Sequence, residues 1–418
     1  MEPVIYDIPF ASIVEAYRDC LKNKRGSNSY TRFTFSYEGQ LVWLWNSIRT
    51  ATYKPGLSFT FIVDYPVTRE IFAASFIDRV VHHYIALRIE SILDELFNEQ
   101  GNVSKNCRKG EGNLKMVLEV AEVIKEESDN YTNDAYIFKG DFANFFMSID
   151  KSILWEMIED FVRGKYEGDD LECLLYLLRV TIFHNPQDRC IRKSPLSAWE
   201  PLPKRKSLFY TDRNKGMAIG NLPSQLLANF VASAFDQWLL SKGITSYRRF
   251  CDDFVIVLRD KEQLKRLIPE IDRYMCDQLR MSLHPEKRYI QPYSHGVKVV
   301  GAVIKPGRIY VANRTVGKFH EKIRYYNHLA DDGLQAQYVE KFVQTINSYF
   351  GMMIHYNSYK IRKHIGDDLI LPKWAGYLYF CNHWRKAKVV NKYKTIYNTR
   401  KAYQRGKLSF APELGKRK

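Results

Sequence analysis

The sequence predicts an α+β fold in which antiparallel strands are packed with long helices, and three stretches predict it. Ser246–Asp260, SYRRFCDDFVIVLRD, sets strand-forming residues on both sides of the acidic pair Asp252-Asp253, the pattern of a hairpin with carboxylates at its turn. AYIFKGDF, residues 135–142, reads as a second strand, ending in Asp141. Apolar residues at three- and four-residue spacing mark long helices over Phe76–Phe97, Ser224–Leu240 and the stretch carrying Leu264, Ile268, Ile271, Met275 and Leu279.

Residues 1–50 read as helical, with Ile13, Val14, Tyr17 and Leu21 on one face. A strand-like run, Leu57–Val63, follows, and Arg69 then leads through TREIFAAS into the helix at Phe76. Asn106–Gly112 is a loop rich in glycine and positive charge, before a helix with an acidic end (Glu119, Glu122, Glu126, Glu127, Asp129). After the strand ending at Asp141, Ser148 or Asp150 caps a helix over Lys151–Val162. Residues 164–215, with four prolines and scattered Lys and Arg, read as an irregular insertion beside the core. Gly220–Pro223 is a turn, and Asp260 to Gln263 resembles a capping box. Gly296–Val311 reads as another hairpin, and 315–410 as mainly helical.

A chain of 418 residues, 45% hydrophobic and 14% aromatic, can bury a large core divided among two or three domains. Its seven cysteines are scattered without a CxxC pair, which argues for a reducing compartment and against a structural zinc site. His82-His83 and Cys381-x-His383 are too short and isolated to make a metal site. MEPVIYDIPF lacks the basic region of a secretion signal, and the longest uncharged run, Gly216–Phe235, contains Asn221, Pro223, Gln225 and Asn229, unlike a membrane span. The expectation is a soluble, cytoplasmic protein without a membrane partner.

The net charge is +16, and the last 46 residues hold thirteen Lys and Arg against the single acid Glu413. Nine aromatic residues are interleaved there, a combination that suits a phosphate backbone and unstacked bases together. Lys54, Arg108, Lys109, Arg385, Lys386, Lys388, Lys392, Lys394, Arg400 and Arg405 are the nucleic-acid-binding candidates.

Asp141 and Asp252 are 111 residues apart in sequence. If the fold brings Asp141, Asp252 and Asp253 together, their mutual repulsion calls for cations, and hard oxygen donors favour Mg²⁺. Two such ions roughly 3.5–4 Å apart suit nucleotidyl transfer. An ordinary Asp-Asp turn is the bland alternative.

The order of the blocks resembles the reverse transcriptase family from about Lys54 to the C-terminal region. REIFAASFIDRVVHH and NVSKNCRKGEG match its two fingers blocks, and FKGDFANFF is similar to palm motif A. FCDDF looks like motif C, LRMSLHPEK like motif D and VKVVGAVI like the primer grip. The resemblance implies a right-hand polymerase with fingers (1–134), a ferredoxin-like palm of antiparallel sheet plus helices (135–163 and 216–312), a fingers or insertion segment (164–215) and a helical thumb with a basic C-terminal segment (313–418). It implies that Asp141, Asp252 and Asp253 hold two Mg²⁺, with Mn²⁺ able to substitute and the Phe142 carbonyl as a further ligand. Arg69 contacts the triphosphate of a dNTP, Phe146 lies under the sugar as a steric gate or simply packs in the core, and Lys287 either delivers a proton to pyrophosphate or is a surface lysine. Ile219 and Gly220 stand beside the incoming nucleotide.

Motif B narrows the resemblance. Group II intron-like bacterial enzymes read PQGGxxSPLLAN, whereas residues 218–229 here read AIGNLPSQLLAN, with Ile219 for the usual Gln and Gln225 for the usual Pro after Ser224. That pattern looks like the reverse transcriptases of diversity-generating retroelements, which copy a template-repeat RNA into cDNA with errors opposite adenine, for mutagenic retrohoming. The implied partners are template-repeat RNA, nascent cDNA, dNTPs and an accessory variability determinant protein, a basic helical-bundle oligomer. The acidic helix end at Glu119–Asp129 is read as a solvated face or a surface for that partner. Drift at a tolerant position is the alternative at Ile219. Retron-like or phage-defence reverse transcriptases and a non-catalytic RNA-binding scaffold are the alternatives for the chain. No endonuclease, maturase or protease segment is read in it.

Overall fold

The computed structural model describes residues 4–22, 28–64 and 67–393. The fold is mixed α/β with mainly antiparallel sheets, in two compact units, Met1–Pro292 and Tyr293–Lys418. Among the described residues no helix is long and apolar enough to cross a membrane.

The first unit contains strands β1 (Ser58–Val63), β2 (Arg69–Ala73), β3 (Tyr136–Asp141), β4 (Cys190–Arg192), β5 (Tyr247–Phe250), β6 (Asp253–Leu258) and β7 (Tyr289–Pro292). Four of them form an antiparallel sheet in the order β5-β6-β3-β7. β6 is central, and its run Phe254–Val257 is buried at every position, which explains why its sequence is continuously apolar rather than alternating. The helix Leu222–Ser241 is apolar nearly all round and lies in the core, as a helix of that composition must. Its Phe235 meets Phe142, Phe254 and Tyr247 edge-on, with ring centroids 5.2–5.9 Å apart. Each such pair contributes about 0.5–1.5 kcal/mol beyond area burial.

A smaller sheet, β2-β1-β4, joins an antiparallel pair to a short parallel one. Asp150 caps the helix Lys151–Lys165 by accepting from the amides of Ser152 and Ile153, and Asp260 caps Lys261–Leu279 through the Glu262 amide. The segment 164–215, expected to be irregular, contains the helix Leu171–Phe183, with Cys173, Leu174, Leu175, Leu177 and Leu178 buried, before a chain of 3₁₀ turns.

The second unit begins with β8 (Val297–Val299), β9 (Ala302–Lys305) and β10 (Arg308–Val311), a three-stranded sheet where a hairpin was expected. The observed division at Pro292/Tyr293 groups this sheet with the C-terminal helices, whereas the expected boundary fell after residue 312. Helices Asn313–Asp331 and Gln335–Met353 share a core in which Phe319 stacks on Tyr349 and Tyr326 on Phe342, both at 4.4 Å. The hairpin of β11 (Leu378–Cys381) and β12 (Lys386–Val389) lies where the sequence reads as helix. Its turn carries Asn382, His383 and Trp384 in left-handed conformations, held by the buried Arg362, which donates to the carbonyls of His383 and Trp384.

Gly140 faces the ring of Phe254, its cross-strand partner, and a Cβ there would stand 2.3 Å from Phe254 Cζ. Gly140→Ala is expected to destabilise the first unit by about 1–3 kcal/mol, read as a lowered thermal midpoint. An unchanged midpoint would show that the ring yields without cost.

Candidate active site

The pairing of β3 with β6 sets Asp141 directly opposite Asp253, and the turn between β5 and β6 leaves Asp252 beside them. The Phe142 amide donates to the Asp252 carbonyl at 3.0 Å, tying the end of β3 to the turn. The Phe142 ring is buried against Phe145, Phe235 and Phe254, so only its main chain borders the carboxylates. Beyond Asp141 the chain pairs with 282–284: the Ala143 amide donates to the Ser282 carbonyl at 2.8 Å and the His284 amide to the Asp141 carbonyl at 2.7 Å. A turn from His284 then brings Lys287 back, and its Nζ donates to both oxygens of Asp141 at 3.0 and 2.9 Å.

Three carboxylates thus converge on one sheet end, and the electrostatics carry the strain of it. Burial first, then the charges of Asp141 and Asp253, push Asp252 up to about 6. Burial also raises Asp253, with the adjacent Asp141 adding to the rise and Lys139 opposing it from 3.6 Å. The donors are all hard oxygens, the set that suits Mg²⁺. Among the described residues no three His, Cys, Asp or Glu side chains are gathered tightly enough to hold an ion as they stand. Lys287 places its ammonium against Asp141. Its side chain is half exposed, whereas that of Asp141 is 6% exposed.

Residues 219–221 are hydrogen-bonded to β2 and to Ala74 just beyond it. The Phe72 amide donates to the Ile219 carbonyl at 2.9 Å, and the Ala74 amide to Asn221 Oδ1 at 3.3 Å. Gly220 has φ +115°, and a Cβ there would meet Ile71 Cγ2 at 2.8 Å and the Phe72 carbonyl oxygen at 3.1 Å, so glycine is required for this approach. Ile219 and Phe146 are both half-buried and pack on one apolar cluster of Phe72, Met147, Leu208 and Ala218. Ser224 is buried beside a cavity of about 30 Å³ that it lines with Asp78, His82 and His184. Burial pushes His82 down to about 3, so it is neutral, a core histidine. Gln225 is exposed, and Arg69 stands exposed at the start of β2, opposite Val63.

Solved structures with a partly similar chain path include apo telomerase from Candida tropicalis truncated from its C-terminal domain, with TM-score 0.47 and 13% identity over 62% of this chain and 56% of that one. Telomerase from Candida albicans in complex with a TWJ fragment of telomeric RNA gives 0.45 and 10% over 82% and 66%. Apo telomerase from Candida tropicalis gives 0.43 and 14% over 61% and 47%. The chain spans about half to two thirds of those proteins, and likeness at this level assigns nothing to it. No protein-family model and no curated protein matches the sequence.

The basic candidates divide. Lys54 is exposed, and Lys109 is exposed with its Nζ 2.5 Å from Glu90. Arg385, Lys386, Lys388 and Lys392 are exposed in the second unit, with Lys386 and Lys388 on one face of β12. Lys394, Arg400 and Arg405 lie outside the described residues. Arg108 is a correction: its side chain is only 3% exposed and its guanidinium bonds Asp94, Asn98, Asn102 and the Ser104 carbonyl, so it locks a loop rather than facing a ligand. On the acidic helix, Glu119 pairs with Lys105 and Arg248, and Glu127 accepts from Ser246, so two of its carboxylates are spent internally.

Sequence reasoning missed Lys139, beside Asp253, and a buried network centred on Arg249, Asp236 and Asn229. A signal existed for the network. Arg249 shares the inward phase of β5 with Tyr247, and Asp236 is the charge that ends the long uncharged run.

Arg108→Ala is expected to cost about 1–3 kcal/mol of stability by leaving the carbonyl of the buried Ser104 without its donor, seen in thermal denaturation. Reduced RNA binding at an unchanged midpoint would restore the surface role.

Proposed function

We propose that this chain is an Mg²⁺-dependent RNA-directed DNA polymerase, the reverse transcriptase of a diversity-generating retroelement. The observation that carries the reading is the convergence of Asp141, Asp252 and Asp253 at one end of a four-stranded antiparallel sheet. In this reading that sheet is the palm, β1 and β2 belong to the fingers, and the helices Asn313–Asp331 and Gln335–Met353 belong to the thumb.

The carboxylates of the three aspartates and the Phe142 carbonyl would hold two Mg²⁺, or Mn²⁺ in their place, which when bound supply activation of a 3′-hydroxyl and neutralisation of the leaving pyrophosphate. The remaining work falls to the protein's own groups. Lys287, anchored by the pairing of 282–284 with 141–143, carries a proton at its Nζ beside Asp141, within reach of an oxygen leaving that site. Arg69 presents a guanidinium fork suited to the phosphates of a dNTP. Phe146 offers a ring against the sugar, where a 2′-hydroxyl would find no room.

The subfamily reading rests on motif B. Ile219 offers no amide to the nascent base pair, so the geometry of that pair is policed by shape alone, and discrimination against the wrong base falls. Template-repeat RNA, nascent cDNA and an accessory variability determinant protein are the partners proposed with it. The exposed lysines of β12, Lys386 and Lys388, would contact nucleic-acid phosphate.

Asp252→Ala is expected to abolish cDNA synthesis on a primed RNA while RNA binding persists. Millimolar Mg²⁺ should raise the thermal midpoint of the unmodified chain and leave that of the variant unmoved. Retained synthesis would overturn the assignment. Ile219→Gln is expected to lower misincorporation opposite template adenine more than opposite other bases, read by sequencing cDNA from a defined template. An unaltered error spectrum would refute the account of motif B.

A further inference from the structure

We infer that Asn229 and Arg249 are positioning residues that set the main chain of the carboxylate turn and lock it to the loop 103–106. The inference rests on the reading that the turn carries metal-binding carboxylates. Arg249 is fully buried and pairs with the equally buried Asp236 through Nε at 2.7 Å and Nη2 at 2.5 Å. That fork alone satisfies the charge. The remaining arm, Nη1, is directed elsewhere, to Asn229 Oδ1 at 3.0 Å and to the Cys251 carbonyl at 3.1 Å.

Cys251 immediately precedes Asp252 and has φ +59°, a left-handed conformation that a residue with a Cβ adopts at a cost. The bond from Arg249 therefore falls on the peptide whose orientation decides where the Asp252 side chain points. On the other side the Asp252 carbonyl accepts from the Phe142 amide at 3.0 Å.

Asn229 is the hub. Its Oδ1 accepts from Ser104 Oγ at 2.7 Å as well as from Arg249, and its Nδ2 donates to the Asn106 carbonyl at 3.0 Å. The main chain repeats the connection: the Arg249 amide donates to the Val103 carbonyl at 3.0 Å, and the Lys105 amide to the Arg249 carbonyl at 2.9 Å. One side chain on the motif B helix thus bridges a loop and the carboxylate turn. A buried ion pair contributes little stability beyond apolar packing of the same volume, and this one directs one contact to the turn and one to Asn229 instead of to its partner. Groups that orient metal ligands without touching the metal typically change affinity 10–100-fold when removed.

The test uses the full chain without nucleic acid and Mn²⁺ as the probe, its binding followed by loss of the free-ion electron paramagnetic resonance signal. Asn229→Ala is expected to weaken Mn²⁺ binding about tenfold and to lower kcat for nucleotide addition while leaving KM for the dNTP close to its original value. Asn229→Asp keeps the acceptor for Ser104 and Arg249 and is expected to restore most of the affinity. A core truncation remote from the turn, Ile158→Val, controls for stability loss and is expected to bind Mn²⁺ as the unmodified chain does. If Asn229→Ala binds Mn²⁺ with unchanged affinity, the network is structural only and the inference falls while the polymerase reading stands. If the unmodified chain takes up no Mn²⁺ at these carboxylates, the metal reading falls and takes the inference with it. Arg249→Lys adds a second arm where it folds, and its expected loss matches that of Asn229→Ala.

Discussion

The register of β3 against β6 is the constraint from which the rest of the first unit follows. Because side chains alternate along a strand, a slip of one residue would send Asp141 to the other side of the sheet and part it from Asp253. Phe254 lying over Gly140 fixes that register sterically, since no other pairing offers the ring a partner without a Cβ. The result is unfavourable taken alone, because adjacent carboxylates repel one another. Burial adds to the penalty, and the raised Asp252 and Asp253 report both effects.

The surroundings answer that penalty in two ways. Cations are drawn in, Lys287 onto Asp141 and Lys139 toward Asp253, so the charge of the cluster is partly offset. Rigidity is supplied from behind, by the aromatic contacts of Phe142, Phe235 and Phe254 and by the fully buried pair of Arg249 with Asp236. The carboxylates are thus mounted on a packed support, with the half-exposed Lys287 on their outer side. In the proposed metal site such packing would hold the ligand set in place.

Much of this was legible in the sequence, and the limits have physical causes. The hairpin at Phe250–Asp253 and the strand ending at Asp141 could be read because local propensity and acidic residues at strand ends agree with the final structure. The caps at Asp150 and Asp260 could be read because capping is a local event. Arg108 could not, because its partners Asp94 and Asn98 come from the end of the preceding long helix, and an arginine in a glycine-rich loop carries no mark of that pairing. The hairpin of β11 and β12 was hidden because its left-handed turn uses Asn382, His383 and Trp384 without a glycine, and depends on Arg362 from a distant helix. The helix Leu171–Phe183 was obscured by the prolines that follow it, although its own apolar run was plain.

Residues 218–225 show how a side chain can be varied without altering the fold. The main chain at Ile219 is held by the Phe72 amide, and the next residue is pinned by the close approach of Gly220 to Ile71 and Phe72. Neither restraint involves the Ile219 side chain, which packs beside Phe146 on a shared apolar cluster. A substitution at 219 therefore changes the hydrogen-bonding character of this surface while its position stays set by β2. Phe146 is placed by a different element, the short helix Phe145–Ser148 that follows Asp141, and packs with Ile219 on the same apolar cluster. In the proposed reaction the ring selects the sugar by exclusion and position 219 sets how strictly the base pair is judged, two properties that the architecture leaves separately adjustable.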